Sequence, residues 1–515
     1  MAEKKVFLSD KYKVKVTYKN GETKQLPVYV TLEENEKGNW NELPKDIYEK
    51  YDGFHHVTNA VKTYFVTFEA EESVKMDVEM PEGTEYAVTK PRSCNIKAEV
   101  KNNTTQLIVN PGQFFMIEPN GEFFGALHIF CNRKKPFPEG RKNKIIFKEG
   151  IHTAENCEYI RIDEHGAPVM DNIPDDTLIY LSDGAVVNAS IVLKGVKHVT
   201  VAGTGILSTI DRSYGAEDDF NLDVLWGGFR YYAVPNILIR SGCSDIVIED
   251  VILSCEFRGI TIRNSDAVTI RDIKVFASAV NGDGINCYNT RHMLVEGCYI
   301  RSSDDCFCMY NACDSIPTLF DEGFEEVCSV CTDAEVRNCI MSSNARPFVI
   351  GGHATCETKP RCLMENIYIH DCEIPETPRA LFSKDYEHGR YWGGMMRILS
   401  QSEQIVRNIR FENMTIDVSE GSLSQMAHIC VRSDDEASYS ESKGYRIENV
   451  SFKNINVIGD CENIIQPAIK CREKASDNDN CGVDGVLYEN FVVGGKKLTI
   501  DDILIEGPVT NITVK

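Results

Sequence analysis

The chain reads as all-β: an N-terminal β-sandwich-like domain over residues 1–135, followed by a right-handed parallel β-helix over 145–515. Three observations carry this expectation. The first 135 residues hold short period-two runs broken by turns. The rest holds a recurring strand phrase with polar corners. Two-residue hairpin turns, which an antiparallel sandwich or propeller would need, are scarce after residue 145.

In the N-terminal part, Tyr12-Lys13-Val14-Lys15-Val16-Thr17-Tyr18 alternates with the period of a strand and runs into the turn Lys19-Asn20-Gly21. Further runs lie at 63–69, 94–100 and 106–109. Such spacing suits a small all-β domain. Residues 132–144, rich in basic side chains with two prolines and a glycine, read as a linker or domain edge.

Beyond the linker the text becomes periodic. Ser244-Asp245-Ile246-Val247-Ile248-Glu249-Asp250-Val251 returns as Ser265-Asp266-Ala267-Val268-Thr269-Ile270-Arg271-Asp272. It recurs around Arg291, and again as Glu365-Asn366-Ile367-Tyr368-Ile369-His370-Asp371-Cys372, Arg407-Asn408-Ile409-Arg410-Phe411-Glu412-Asn413 and Glu448-Asn449-Val450-Ser451-Phe452-Lys453-Asn454. One such rung has no hydrophobic face it can bury alone, so rungs stack and close an apolar cylinder. Asn at the corners tolerates left-handed backbone angles and can bond to its neighbours above and below.

Length and charge bound the function. At 515 residues the chain is long for one ordinary core unless it is a repeat array. A net charge of −23 disfavours nucleic acid and anionic membrane surfaces as partners. The segment Met1 to Asp10 has no apolar run of signal-peptide length, and no later segment approaches a membrane span, so a cytoplasmic location is expected. A homo-oligomer is left open. The 20 cysteines, several of them alternating along strands as Cys287, Cys306 and Cys308 do, read as reduced core residues. The lone CxxC at Cys328 and Cys331 is weak evidence for zinc, and no metal or other cofactor is expected.

Two acidic clusters stand out. Asn281-Gly282-Asp283-Gly284 and Ser303-Asp304-Asp305-Cys306 place Asp283 and Asp304 twenty-one residues apart, about one repeat. Matching Gly259-Ile260-Thr261-Ile262 to Gly284-Ile285-Asn286-Cys287, Asp305-Cys306-Phe307-Cys308 and Pro347-Phe348-Val349-Ile350 gives inward columns Ile260, Ile285, Cys306, Phe348 and Ile262, Cys287, Cys308, Ile350. The preceding column then runs Arg258, Asp283, Asp304, Arg346, with Asp305 joining only if the chain bends. Converging carboxyls supply an acid and a base for glycoside cleavage, and crowding of like charge keeps one protonated near neutrality. A polar corner or a calcium site is the plainer alternative.

Together the two clusters resemble the motifs of the polygalacturonase family, glycoside hydrolase family 28: Asn-Thr-Asp-Gly, Asp-Asp-Cys, Gly-His-Gly and Arg-Ile-Lys. The sandwich before the helix, with Ile179-Tyr180-Leu181-Ser182-Asp183-Gly184 leading to Gly203-Thr204-Gly205-Ile206, is similar to the related dextranase family, family 49. The resemblance covers roughly 145–470. It implies an inverting hydrolase with Asp304 as general acid and Asp283 and Asp305 activating water. Gly351-Gly352-His353-Ala354 matches the third motif by letters, although register puts Arg346 in the corresponding column. Met396-Arg397-Ile398-Leu399 keeps the arginine of the fourth motif and lacks the lysine that pectin enzymes use to hold a uronate. A neutral glycan or short oligosaccharide is therefore expected, rather than galacturonan. Arg346, His353, Arg379 and Arg397 are candidate substrate ligands, and Tyr391 and Trp392 in a glycine-flanked loop are candidate stacking platforms. Insertions at 311–331 and 384–394 interrupt the repeat near the acids. A β-helix lyase, an intramolecular glycosyltransferase and a non-catalytic carbohydrate-binding protein are the rival readings.

Overall fold

The computed structural model describes residues 8–31, 63–123, 125–163, 166–209, 235–255, 258–278, 282–311, 330–352, 362–377, 394–401, 403–419, 425–432, 443–474, 476 and 479–515. Its N-terminal part is two five-stranded sheets. One runs in the order Thr23–Leu26, Lys13–Thr17, Val74–Glu79, Thr104–Val109, Val100–Lys101, all antiparallel. The other runs Tyr29–Val30, Tyr64–Ala70, Leu127–Arg133, Phe114–Pro119, Ala87–Lys90, with one parallel pair, Tyr64–Ala70 beside Leu127–Arg133. Alternation explains the first sheet: Val14 and Val16 point inward while Lys13 and Lys15 face solvent. They meet Met76, Val78, Leu107, Val66, Phe68, Phe115, Ile117 and Ile129 in one core. The run at 94–100 is a correction: it holds a short 3-10 turn, Arg92–Cys94, and only its last residue begins a strand, Val100–Lys101.

The remainder is a right-handed parallel β-helix of three faces. In successive rungs the first face carries Ser244–Glu249, Asp266–Arg271, Arg291–Glu296, Val330–Arg337 and Leu363–His370. The second carries Ile252–Cys255, Lys274–Ala277, Tyr299–Ser302 and Ile340–Ser343. The third carries Ile237–Arg240, Ile260–Arg263, Ile285–Tyr288, Phe307–Tyr310, Phe348–Gly351, Met396–Ser400 and Ala427–Val431. Inward side chains stack in register, as in Ile246, Val268, Met293, Ala334, Ile367, Ile409 and Val450, and merge into one continuous core. Burying such columns is the main driving force for coiling.

Two features hold the register. At the corners, residues with positive φ form amide ladders. Asn408 donates to Asn366 at 3.0 Å and Asn449 to Asn408 at 3.1 Å; in the second ladder Asn413 donates to Asp371, Asn454 to Asn413 and Asn490 to Asn454. Along the outer first face, Glu249, Arg271, Glu296, Arg337, His370, Glu412, Lys453 and Glu489 lie in one column. Its ion pairs Glu249–Arg271 and Glu296–Arg337 close at 2.6 and 2.9 Å. Each exposed pair contributes little alone, but a one-rung slip would set like charges together.

The second face is covered by the sandwich. The outward sides of the strands Tyr64–Ala70 and Leu127–Arg133 press Phe65 and Phe130 onto Ile252, Phe276 and Tyr299, which is why those strands are buried on both sides. His128 Nδ1 meets the Tyr299 hydroxyl at 2.7 Å. The fully buried Lys274 ammonium donates to Asn132 Oδ1 and to the Asp250 carbonyl, and lies 4.4 Å from the Phe114 ring centre; burial pushes its pKa down to about 8. At the seam Lys90 contacts Glu376 and lies 3.4 Å from Glu118, while Arg92 pairs with Asp417 at 2.6 Å. A cleft of about 440 Å³ opens there, away from the acidic clusters.

Seventeen cysteines among the described residues are free, and most are buried. Among the described residues no helix is long and apolar enough to cross a membrane.

Burial and the adjacent Glu376 carboxyl push Glu118 up to about 9. The folded state therefore holds a proton that the unfolded chain releases near its ordinary value of about 4.5, so this group's stabilisation falls as pH rises from there towards 9. Glu118→Gln keeps a neutral side chain at every pH. It should leave thermal stability near wild type at pH 5 and raise it by roughly 1–3 kcal/mol at pH 8.5, measured by calorimetry across that range.

Candidate active site

The acids converge on the outer third face. Ile260 pairs with Ile285, Ile285 with Phe307 and Phe307 with Phe348. Two residues before each, one column runs Arg258, Asp283, Asp305, Arg346. This corrects the sequence register at one rung: Asp305, not Asp304, stands beside Asp283, and Asp304 lies at the corner. The inward columns become Ile260, Ile285, Phe307, Phe348 and Ile262, Cys287, Met309, Ile350, while Cys308 faces outward among Tyr288, Tyr310 and Val349. Parity misled because Cys306 and Phe307 both enter the core, so buried-residue patterning cannot distinguish the two alignments.

Backbone contacts lock the corner. Gly284 N donates to Asp305 O at 2.8 Å, Gly259 N to Asp283 O at 2.9 Å and Asp304 N to Gly282 O at 3.3 Å. The Asp304 carbonyl accepts from the Ser302 and Ser343 hydroxyls. A Cβ on Gly284 would lie 2.4 Å from Cys306 O, so the acidic rung packs this closely only over glycine.

One carboxylate oxygen from each of Asp283, Asp304 and Asp305 lies within 4.8 Å of the others, and all three residues are buried. Arg346 grips Asp305 with two N–H donors, Nε at 2.7 Å and Nη2 at 2.9 Å. The same Nη2 is 3.9 Å from Asp304. Asp283 Oδ2 accepts from Asn286 Nδ2 at 2.6 Å and lies 3.1 Å from Arg258 Nε. Burial pushes Asp283 up to about 7 against the pull of Arg258, with the Asp304 and Asp305 charges adding to the rise. The arginines, held by facing carboxylates, stay firmly protonated. Their positive charge offsets part of the negative charge gathered by the three carboxyls.

The other expected ligands divide. Arg346 is committed to Asp305. Arg397 sits on the outward column Asn286, Cys308, Val349, Arg397, His428; burial first, then Arg346 and Arg432, push it down to about 9. Leu399, in the place of the missing lysine, is buried. His353, Arg379, Tyr391 and Trp392 lie outside the described residues. Sequence reasoning passed over Asn286 and His428; both are buried polar residues on otherwise apolar strands, a signal visible in Ile285-Asn286-Cys287-Tyr288 and Ala427-His428-Ile429.

No family model matches the chain, and no curated protein matches it in sequence. Among solved structures, Dex49A from Penicillium minioluteum superposes with a TM-score of 0.55 at 13% identity, over 98% of this chain and 94% of that one. A Family 28 exopolygalacturonase of Yersinia enterocolitica gives 0.43 at 11% identity, over 99% and 94%. An exopolygalacturonase of Thermotoga maritima gives 0.38 at 13%, over 72% and 79%. The first likeness extends the shared fold over nearly all of both chains: the protein is a right-handed parallel β-helix with an N-terminal sheet domain and a buried acidic triad on its third face.

Arg346→Met should destabilise the fold by about 3–5 kcal/mol, because it leaves the buried Asp305 carboxylate unpaired. Arg346→Met combined with Asp305→Asn should recover much of that loss, as measured by urea unfolding.

Proposed function

We propose that the protein is a glycoside hydrolase acting on a neutral glycan or short oligosaccharide with inversion at the anomeric carbon. The observation that carries this reading is the buried triad with its asymmetric partners. Arg258 and Arg346 lie closer to Asp283 and Asp305, at 3.1 and 2.7 Å, than Arg346 does to Asp304, at 3.9 Å. Burial still lifts Asp283 to about 7, so the crowded triad shares one proton near neutrality, and in the reacting complex that proton is carried by Asp304. Asp304 gives that proton to the glycosidic oxygen as its bond to the anomeric carbon breaks. Water adds to that carbon from the opposite face and passes a proton to the Asp283 and Asp305 pair, from which the proton returns to Asp304 through solvent. Burial strengthens each of these electrostatic interactions.

The neutral substrate is supported by the commitment of Arg258 and Arg346 to the acids and by Leu399 in the place of a cation. A second reading, double displacement through a glycosyl-enzyme at Asp283, is favoured by one distance. The carboxyl oxygens lie within 4.8 Å, closer than the roughly 6.5–9.5 Å between carboxyls of inverting pairs. Inversion is preferred because Asp305 and Asp283 are each tied to an arginine and held in a strand column, which suits holding a water more than advancing onto a sugar carbon.

Asp304→Asn should lower kcat on a panel of defined neutral oligosaccharides by about 100- to 10,000-fold while leaving the melting temperature near wild type. Full activity in that variant would remove Asp304 from the reaction. Proton NMR of the first anomer released separates the two pathways: the inverted anomer is expected, and the retained anomer appearing first would establish double displacement.

A further inference from the structure

Asp283 is held asymmetrically. Its Oδ2 takes the Asn286 amide at 2.6 Å and faces Arg258 Nε at 3.1 Å, whereas no hydrogen bond reaches Oδ1 among the described residues. Asn286 is fully buried, and among the described residues its own carbonyl Oδ1 has no hydrogen-bond partner; nor does Thr261 Oγ1, its neighbour in the same outward column one rung earlier. The orientation of the amide follows from charge. Turning it over would set a carbonyl oxygen against a carboxylate and leave the NH2 group without an acceptor.

We propose that Asn286 is a positioning residue: by occupying Oδ2 of Asp283 it leaves Oδ1 as the oxygen that takes the proton of the attacking water. This rests on the hydrolase reading above and adds to it which atom of the base acts and what selects it. A hydrogen bond donated to a carboxylate favours the ionised form, so Asn286 also opposes the rise that burial imposes on Asp283. The charged and titratable groups facing Asp283 are Arg258 on the preceding rung, Asp304 and Asp305 on the next, and Cys308 and Tyr310 on the strand beyond them, with Arg346 acting through Asp305. Arg258 contacts the same oxygen as Asn286, so removing the amide leaves the arginine in place and changes one donor only.

The test uses the full chain with Asn286→Leu, which keeps the volume and removes the donor, and Asn286→Asp, which keeps the shape and donates only while protonated. Infrared titration of protein labelled with 13C-aspartate, taken as a difference against Asp283→Asn, follows the Asp283 carboxyl without substrate. Its midpoint should rise by about one pH unit or more in Asn286→Leu. The acid limb of the kcat profile should rise by the same amount, with KM within about twofold. In Asn286→Asp, kcat should decline as pH rises, because the added carboxyl loses its donor proton and brings a like charge. An unmoved Asp283 midpoint in Asn286→Leu, whatever happens to its melting temperature, would overturn the proposal; if that variant does not fold, an Asp283 midpoint in Asn286→Asp equal to wild type does the same. The titration decides the point even if no glycan is cleaved, so failure of the hydrolase reading is seen separately, as absence of product from the wild-type protein.

Discussion

Four side chains stacked on consecutive rungs, Arg258, Asp283, Asp305 and Arg346, make the constraint around which the third face is built. Two carboxylates one strand spacing apart, about 4.8 Å, would not both stay ionised inside a protein without compensation. Capping the pair with an arginine on each side lets the solenoid carry buried charge on this face. The arrangement needs the rungs in strict register, since a slip of one residue would turn the acids to the other side of the sheet.

The devices elsewhere in the fold serve that register. The asparagine ladders fix the corners, and the alternating charges on the first face penalise misalignment. The glycines at 259 and 284 bring successive backbones close enough for Asp304 to reach the acidic pair from the corner. The sandwich covers the second face, and the acids gather on the third. The three faces thus have three jobs: one sets register, one docks the N-terminal domain and one gathers the acids.

The domain seam obeys the same physics. Lys274, His128 and Glu118 are ionisable groups buried between sandwich and helix. Each is held by a specific partner, and Lys274 and His128 are pushed towards their neutral forms by burial. Buried polar groups of this kind fix orientation more than they add stability. They make the sandwich a fitted cover, with Phe65 and Phe130 seated on Phe276 and Tyr299.

Much of this was legible in the chain. A phrase recurring about every 20 to 40 residues, with Asn or Asp at its corners, is enough to call for a parallel solenoid, because only stacking buries its apolar columns. The acidic motifs were equally visible, since Asp283 and the Asp304-Asp305 pair are local features of the text. Which of the two aspartates stands beside Asp283 was not, because Cys306 and Phe307 are both apolar and either could begin the inward column. Nor could spacing show that Arg346 grips Asp305 or that Asn286 occupies one oxygen of Asp283. Those facts depend on where a rung turns, and the turn is set by packing against Ile300 and the serines at 302 and 343 on the neighbouring face. Composition and period are properties of the one-dimensional chain; the assignment of partners to buried charges arises only when distant rungs are brought within hydrogen-bonding distance.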